Sequence, residues 1–518
     1  MPKKNLQPVA LEERIQTIDI IRGFALFGVL VLNFTVDNRN VQPEEGWTGI
    51  ADQLAYWPLR FFMDDKFLSI YCLLFGLGFS IQMLQAEARN SPFVFFYLRR
   101  LFVLYLIGTV QSILTGGSIL PDYAIVGVLL LILHKLPIKI LPVLAILCVL
   151  IPETREFVLN QKNEEAINNK TIKLNTTILD RYVGVYQREN GGLIIVTREA
   201  DALYGEGEGG KPRWYPTAET EFILPRAGVS ISFVNDSSGM FTSLLLIQNG
   251  IKIPAKKVQL SMREAQTKLA ERRGSNAPKK SSGYNDFVRN NAINFWERLR
   301  NWSLSSFLWG LNDSGIFPLF LMGLYLGRRR IFYNISANRQ LLRNVMKWGL
   351  LIGFTGVAIN LGFEAWNFIK GNKWDWDFYS ILTRSLVVLS WDLGVMILAL
   401  GYIAGLTLLL ENVDWKKRLS FLAPVGRMGL TNYLLHTIPY VLLFESFGLG
   451  LNGKIGCFYR LLLALPVFLI MIFISGWWFK YFRIGPAEWL WRSLTYWKIQ
   501  PMRLKPTDKI KEKEIGNI

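Results

Sequence analysis

Asp19 and Arg22 stand three residues apart at the start of an apolar run. On a helix that spacing makes them neighbours, and charge beside hydrocarbon is costly enough to be either paired or functional. As a working residue, Arg22 offers a planar fork that grips phosphate bidentately, with Asp19 to orient it. As an anchor, the pair is an ion pair at a membrane boundary; the spacing admits both. Arg427 opens another apolar run and joins Arg22, Arg99 and Arg100 as a phosphate partner. Thr431 and Asn432 follow one turn later, small polar residues of the kind that join helices within a membrane. His436 comes four residues after Asn432 and shares its helix face. The rise from Arg427 puts it ~13 Å deeper, close to a bilayer midplane. There a neutral imidazole is either a general base or a packed, hydrogen-bonded side chain.

Arg384 and Asp392 share another apolar run, ~80° apart around a helix, and Glu364 ends the run before it. Intramembrane charges of this kind also form proton or ion relays. Cys72, Cys148 and Cys457 are too few and too dispersed for a disulfide framework or a metal cluster. His134 and His436 are the only imidazoles, so no zinc or haem site is expected.

The elements that must position these residues are membrane helices. Of the 518 residues, 51% are hydrophobic and 19% charged, against ~25% charged in soluble domains. The apolar residues bunch into runs of about 20, the length that spans a ~30 Å hydrocarbon core. Spans are predicted near 18–36, 67–84, 101–114, 119–133, 138–151, 316–327, 345–369, 381–410, 421–447 and 457–479. The predicted fold class is therefore a polytopic α-helical membrane protein of about ten transmembrane helices. Lys3 and Lys4 precede the first run without a small-residue cleavage site, so it reads as a span rather than a cleavable signal.

The loops orient it. Arg99 and Arg100, Lys135 and Lys139, Arg328 to Arg330, Lys416 to Arg418 and the basic tail all fall on one side. The acidic stretches at 37–65 and 375–377 fall on the other. By the positive-inside rule both termini are cytoplasmic. The net charge of +18 is explained by those loops, and with no recognition helix or RNA-binding motif no nucleic-acid partner is expected.

The segment 152–303 breaks the pattern. The same count places this long polar insert outside the membrane. Short β-branched or aromatic runs at 193–196, 229–234 and 241–248 are separated by Gly191-Gly192, Gly209-Gly210 and 236–239, a hairpin rhythm. A small antiparallel β barrel or sandwich is expected over about 179–257, with the charged flanks at 156–173 and 263–282 as tethers. The chain thus divides into helices at 1–151, the extracytoplasmic insert at 152–303, helices at 304–480 and a cytoplasmic tail at 481–518.

Particular motifs carry a resemblance. The first helix reads Arg14-Ile-Gln-Thr-Ile-Asp19-Ile-Ile-Arg22-Gly23-Phe-Ala25 and ends at Asn33. Later come Phe75-Gly76-Leu-Gly78, Gly323-Leu-Tyr-Leu-Gly327-Arg-Arg-Arg, Gly426-Arg427-Met428-Gly-Leu-Thr431-Asn432-Tyr433 and Gly485-Pro486-Ala-Glu488-Trp489-Leu-Trp491-Arg492. Together they resemble the YeiB-like family of bacterial multi-pass membrane proteins, across most of the membrane portion. The first helix is also similar to that of the transmembrane acyltransferase superfamily, whose members move an acyl group from cytoplasmic acyl-CoA to an extracytoplasmic sugar. Leu179-Asp180-Arg-Tyr182-Val-Gly184-Val-Tyr186, with Leu203-Tyr204 and a closing 244–250 segment, is similar to the lipocalin-like β domain that often follows serine β-lactamase-like hydrolases.

The resemblance implies a bacterial cytoplasmic membrane location. It also implies acetyl-CoA or another acyl-CoA as donor, bound by Arg22 and Arg427 with Asn432 beside them, and an envelope glycan or peptide as acceptor. His436 would be the base, with Asp19 and Asn33 completing the site. Three departures stand against this. Asn33 occupies a position that is His in many of those acyltransferases, no His follows in 35–66, and Gln111 and Ser118 stand where a His and an Asp are expected. A carboxylate such as Asp37, Asp64 or Asp65 is then the alternative base. The rival readings are a transporter or exporter using Arg384, Asp392 and Glu364 as a relay, against which no repeat of two halves is found, and a non-enzymatic envelope protein whose β domain binds a ligand.

Overall fold

The computed structural model describes residues 15–35, 49–89, 93–189, 191–207, 210–224, 228–235, 241–248, 251–276, 283–300, 315–369 and 381–504. The chain forms two compact units, 1–153 with 281–518 and 154–280.

The first unit is helical. In order it contains α1 (Gln16–Thr35), α2 (Ile50–Phe62), α3 (Lys66–Ala88), α4 (Phe93–Thr115), α5 (Leu120–Leu133) and α6 (Ile140–Lys170), which runs on into the second unit. Among the described residues, six helical stretches are long and apolar enough to cross a membrane: Gln16–Thr35, Ile50–Ala88, Phe93–Thr115, Ser336–Trp366, Leu382–Leu409 and Cys457–Trp478. Shorter apolar helices cover Leu120–Leu133, Ile140–Ile151 and Ile316–Arg328. The protein is therefore mainly helical and suited to a bilayer, with six qualifying spans against the ten expected.

The second unit is the insert. A short helix, α7 (Thr176–Asp180), precedes β1 (Gly184–Arg188), β2 (Leu193–Glu199), β3 (Ala202–Glu206), β4 (Arg213–Pro216), β5 (Glu221–Leu224), β6 (Val229–Asn235), β7 (Phe241–Gln248) and β8 (Ile251–Val258). Each strand pairs antiparallel with the next, and β8 returns to β1 with Tyr186 opposite Lys257, closing an eight-stranded barrel. Inward alternation places Tyr186, Val196, Leu203, Trp214, Phe222, Phe233 and Leu244 in one core. Tyr182 fills it from the end, its ring 4.4 Å from Phe233 and its carbonyl accepting from the Tyr186 hydroxyl at 2.9 Å. β2 is apolar on both faces because Leu193 and Ile195 meet a further helix, α8 (Met262–Asn276), through Ala265 and Leu269. The flank expected as a tether at 263–282 thus starts as a packed helix; Ala265 and Leu269 lie one turn apart in a sequence otherwise charged.

The chain then returns to the first unit with α9 (Tyr284–Arg300), α10 (Ile316–Arg328), α11 (Arg339–Ile369), α12 (Ile381–Leu409), α13 (Val413–Arg418), α14 (Leu422–Arg427), α15 (Gly429–Leu435), α16 (Thr437–Phe444), α17 (Cys457–Trp478) and α18 (Pro486–Tyr496). α1 is mostly apolar between Gly23 and Leu32 and buried along most of its length, as a central helix should be; α17 leaves Leu469, Ile470 and Phe473 exposed. Small residues set the closest crossings. A Cβ on Gly76 or Gly323 would strike the Phe320 or Leu73 carbonyl where α3 meets α10, and one on Gly23 or Gly426 would strike the Leu422 or Asp19 carbonyl where α1 meets α14.

The run expected as one span at 421–447 is three short helices, α14 to α16, divided at Met428 and His436. At the first break the amides of Leu430 and Thr431 bond the Glu488 carboxylate. Just after the second, Pro439 has no N–H to donate back along the helix.

Candidate functional site

These breaks and crossings shape a cavity of about 300 Å³ within the first unit. α1 brings Asp19 and Arg22 to its wall, with Arg22 Nη1 donating to Asp19 Oδ1 at 3.2 Å. Arg100 reaches it from α4, Arg427 from the end of α14 and Arg492 from α18. Glu488 and Gln82 also line it, and most of the remainder is apolar or aromatic, including Leu68, Leu74, Phe75, Phe79 and Leu104 with Tyr71, Tyr97, Tyr123 and Tyr433.

Two of the arginines lie over aromatic rings. The Arg427 guanidinium carbon lies 4.0 Å from the Phe479 ring centre, and that of Arg100 lies 3.6 Å from Trp491. The Trp491 indole N–H donates to the Arg100 carbonyl at 2.8 Å, which ties α18 to α4.

Glu488, the second carboxylate on the wall, is committed to structure. Its Oε1 accepts from the Leu430 and Thr431 amides at 2.7 and 3.1 Å, and its Oε2 from the Thr431 hydroxyl at 2.5 Å. The Ala487 amide donates to that hydroxyl at 3.0 Å. The two C-terminal motifs are thus halves of one joint. A buried carboxylate accepting amide hydrogens at a helix start is well placed.

His436 is buried beside the cavity wall and not on it. Its Nε2 lies 2.7 Å from Asn33 Nδ2. An amide nitrogen only donates, so Nε2 is the acceptor and the ring proton sits on Nδ1, which faces the Asn432 carbonyl at 3.4 Å. The exposed Asn33 is in the last turns of α1, so His436 stands level with the end of α1 opposite Arg22. The Tyr433 ring, 5.3 Å from the imidazole, separates it from the cavity. Asn432 donates to the Val425 carbonyl at 3.1 Å and Ser475 Oγ at 2.9 Å, and is likewise off the cavity wall.

The six residues singled out in the sequence therefore fall into two groups. Asp19, Arg22 and Arg427 share the cavity; Asn33, Asn432 and His436 form a hydrogen-bonded chain behind Tyr433. Gln111 and Ser118 pair with each other, the Ser118 hydroxyl donating to Gln111 Oε1 at 2.7 Å. Arg492, Tyr433 and Glu488 were legible only as members of motifs. Arg460 was missed: it is fully buried in α17, donating to Asn452 Oδ1 at 2.7 Å. Asp37, the stretches at 375–377 and 236–239, Gly209 and the tail beyond 504 lie outside the described residues.

A second charged cluster joins α2, α3, α11 and α12. Arg60 pairs with Asp64 and, at 3.0 Å, with Glu364, which also accepts from the Tyr56 hydroxyl at 3.0 Å. Lys66, fully buried, donates to the Arg60 carbonyl at 2.8 Å and lies 4.0 Å from the Trp391 ring centre. The Trp391 indole donates to Asp65 at 3.2 Å. Arg384 is also buried.

Residues 326–498 match the family described as a protein of unknown function, DUF418. Over nearly its whole length the chain is similar to three bacterial proteins. YxaH of Bacillus subtilis is 25% identical, covering 97% of this chain and 99% of YxaH. A 39.9 kDa protein from the amylase 3' region of Bacillus acidopullulyticus is 23% identical over 96% and 99%. YeiB of Escherichia coli is 25% identical over 93% and 96%. No solved structure matches significantly.

Proposed function

We propose, from the premise that this chain is a YeiB-like membrane protein homologous to YxaH and YeiB along nearly its whole length, that it is a membrane acyltransferase drawing on cytoplasmic acyl-CoA. The observation that carries the reading is the gathering of Arg22, Arg100, Arg427 and Arg492 from different elements around one cavity whose wall is mostly apolar and aromatic beyond them, with Asp19, Glu488 and Gln82 as its other polar members. Guanidinium groups suit phosphate, and the apolar remainder suits an acyl chain. At about 300 Å³ the cavity is at the small end of ligand sites, ~300–1,000 Å³. It has room for a slender thioester arm, with the nucleotide left at the arginine-rich mouth on the cytoplasmic side.

The transfer step follows from ordinary acyl chemistry. The base takes the proton of an acceptor hydroxyl, the oxygen forms a bond to the thioester carbonyl carbon, the C–S bond breaks, and the coenzyme A thiolate leaves and is protonated. His436 is the base in this reading. Its Nε2 lone pair faces Asn33, so an acceptor hydroxyl would take the place of the Asn33 amide. Tyr433 would have to turn aside for the thioester to arrive, and the acceptor would come from the envelope side.

The test uses purified protein in nanodiscs with labelled acetyl-CoA and a glycan or peptide acceptor. Coenzyme A binding to wild type is expected, as is transfer reduced ~100-fold or more in His436→Gln. Full activity of that variant moves the base to a carboxylate, Asp64 or Asp65 first. A wild type that neither binds coenzyme A nor transfers label ends the enzyme reading.

A further inference from the structure

Three glycines line the cavity: Gly78, Gly426 and Gly429. Two have packing reasons. A Cβ on Gly426 would run into the Asp19 carbonyl, and one on Gly429 would press on the Tyr71 hydroxyl and the Arg22 side chain. Gly78 has none: among the described residues nothing lies within 4 Å of where its Cβ would be. It also sits inside α3, away from either end and without a left-handed backbone, where glycine weakens a helix relative to alanine. The neighbouring wall residues of α3, Tyr71, Leu74, Phe75 and Gln82, recur at helical spacing and all carry side chains. The stripe is interrupted at Gly78 alone.

We infer that Gly78 is the specificity-determining position of this cavity: it keeps the wall open so that the chain of an anionic, phosphate-bearing amphiphile can lie across α3. This rests on the reading of the cavity as a ligand site and names the position that admits the ligand. The four arginines supply the recognition of phosphate, and the empty sector at Gly78 supplies room for the flexible chain attached to it. Acyl-CoA and an anionic membrane phospholipid share that chemistry.

The experiment compares wild type, Gly78→Ala and Gly78→Leu as full-length protein in nanodiscs of zwitterionic lipid. Acyl-CoA of increasing chain length is titrated, and phospholipid retained through purification is measured by native mass spectrometry. The Leu side chain should fill the open sector, weakening ligand binding at least tenfold, with longer chains losing most and Ala intermediate. The melting temperature of neither variant should fall, since both are better helix formers and the Cβ of either enters open space. Wild type that binds acyl-CoA while Gly78→Leu binds it equally well overturns the inference and leaves the donor reading intact. Retained phospholipid that is lost in Gly78→Leu, with no acyl-CoA binding, upholds the inference and removes the donor reading. A wild type that holds neither ligand, or a Gly78→Leu variant that is destabilised, overturns the inference.

Discussion

Among the described residues that line the cavity, Arg22, Arg100, Arg427 and Arg492 are accompanied by the carboxylates Asp19 and Glu488, and Glu488 is already bonded to two amides and a hydroxyl. In the second cluster Arg60 and Lys66 meet Asp64, Asp65 and Glu364, and Arg60 gives a separate terminal nitrogen to each of two carboxylates. Both groups lie in the helical unit, where uncompensated charge is expensive. The second cluster sets three carboxylates against two cations, and Arg60 bonds two of those carboxylates directly. The first brings four guanidinium groups and two carboxylates together among its described lining residues, beside open space. That contrast separates a joint from the ligand site proposed above: the Arg60 cluster fastens α2 to α11, and the cavity cluster carries the guanidinium groups that the proposed anion requires. It also weighs against a relay through Glu364, since releasing that carboxylate breaks its bonds to both Arg60 and Tyr56.

The sharpest way to break this comparison is Arg60→Met. Removing one partner of a buried ion pair typically costs ~3–5 kcal/mol, because the remaining charges stay buried. A loss of that order is expected in unfolding of the protein in nanodiscs, with part of it recovered in the Arg60→Met/Glu364→Met double variant. Unchanged stability would make the Arg60 cluster a working site after all.

Arg22→Gln and Arg427→Gln should behave in the opposite way. Each is expected to weaken coenzyme A binding by ~1.5–3 kcal/mol, the worth of a hydrogen bond to a charged group, while stability changes by less than ~1 kcal/mol. The measurement is isothermal titration beside thermal unfolding of the same samples. Loss of stability without loss of affinity would make these arginines anchors.

How far such a site can be read from sequence depends on where its partners lie. Asp19 with Arg22 was legible because both sit on one helix at a spacing that forces contact. The strands were legible because alternation and Gly-rich turns repeat along 184–258. The joint between Glu488 and Thr431 was not: it links residues 57 positions apart, and each looks ordinary alone. The span at 421–447 looked continuous because hydropathy does not register a carboxylate taking over backbone amides from another helix. The depth assigned to His436 assumed unbroken helical rise from Arg427, and the break at Met428 intervenes. Ala265 and Leu269 were hidden in a charged segment because one turn of apolar contact is too brief a period to stand out.

The smallest effect tests the same contrast in water. Ser261 and Glu264 form a capping box at the start of α8. The Glu264 amide donates to Ser261 Oγ at 3.2 Å, and the Ser261 hydroxyl and amide donate to Glu264 Oε2 at 2.7 and 3.2 Å. Those bonds, the hydroxyl first, hold the Glu264 carboxyl below its ordinary range. Like Glu488, Glu264 serves a helix start, but it is fully exposed to solvent, which competes for every one of its bonds. Ser261→Ala should therefore cost only what an N-cap is usually worth, ~0.5–2 kcal/mol, seen as faster amide exchange confined to Met262–Asn276. The sign of its pH dependence follows from the lowered pKa. The ionised box contributes fully above the unfolded carboxyl value of ~4.3, and its contribution is lost as pH falls through the lower folded value. The difference between wild type and Ser261→Ala should thus be constant from pH 8 to 5 and shrink below ~4. A difference that persists unchanged to pH 3 would mean that the hydroxyl caps the helix without help from the carboxylate.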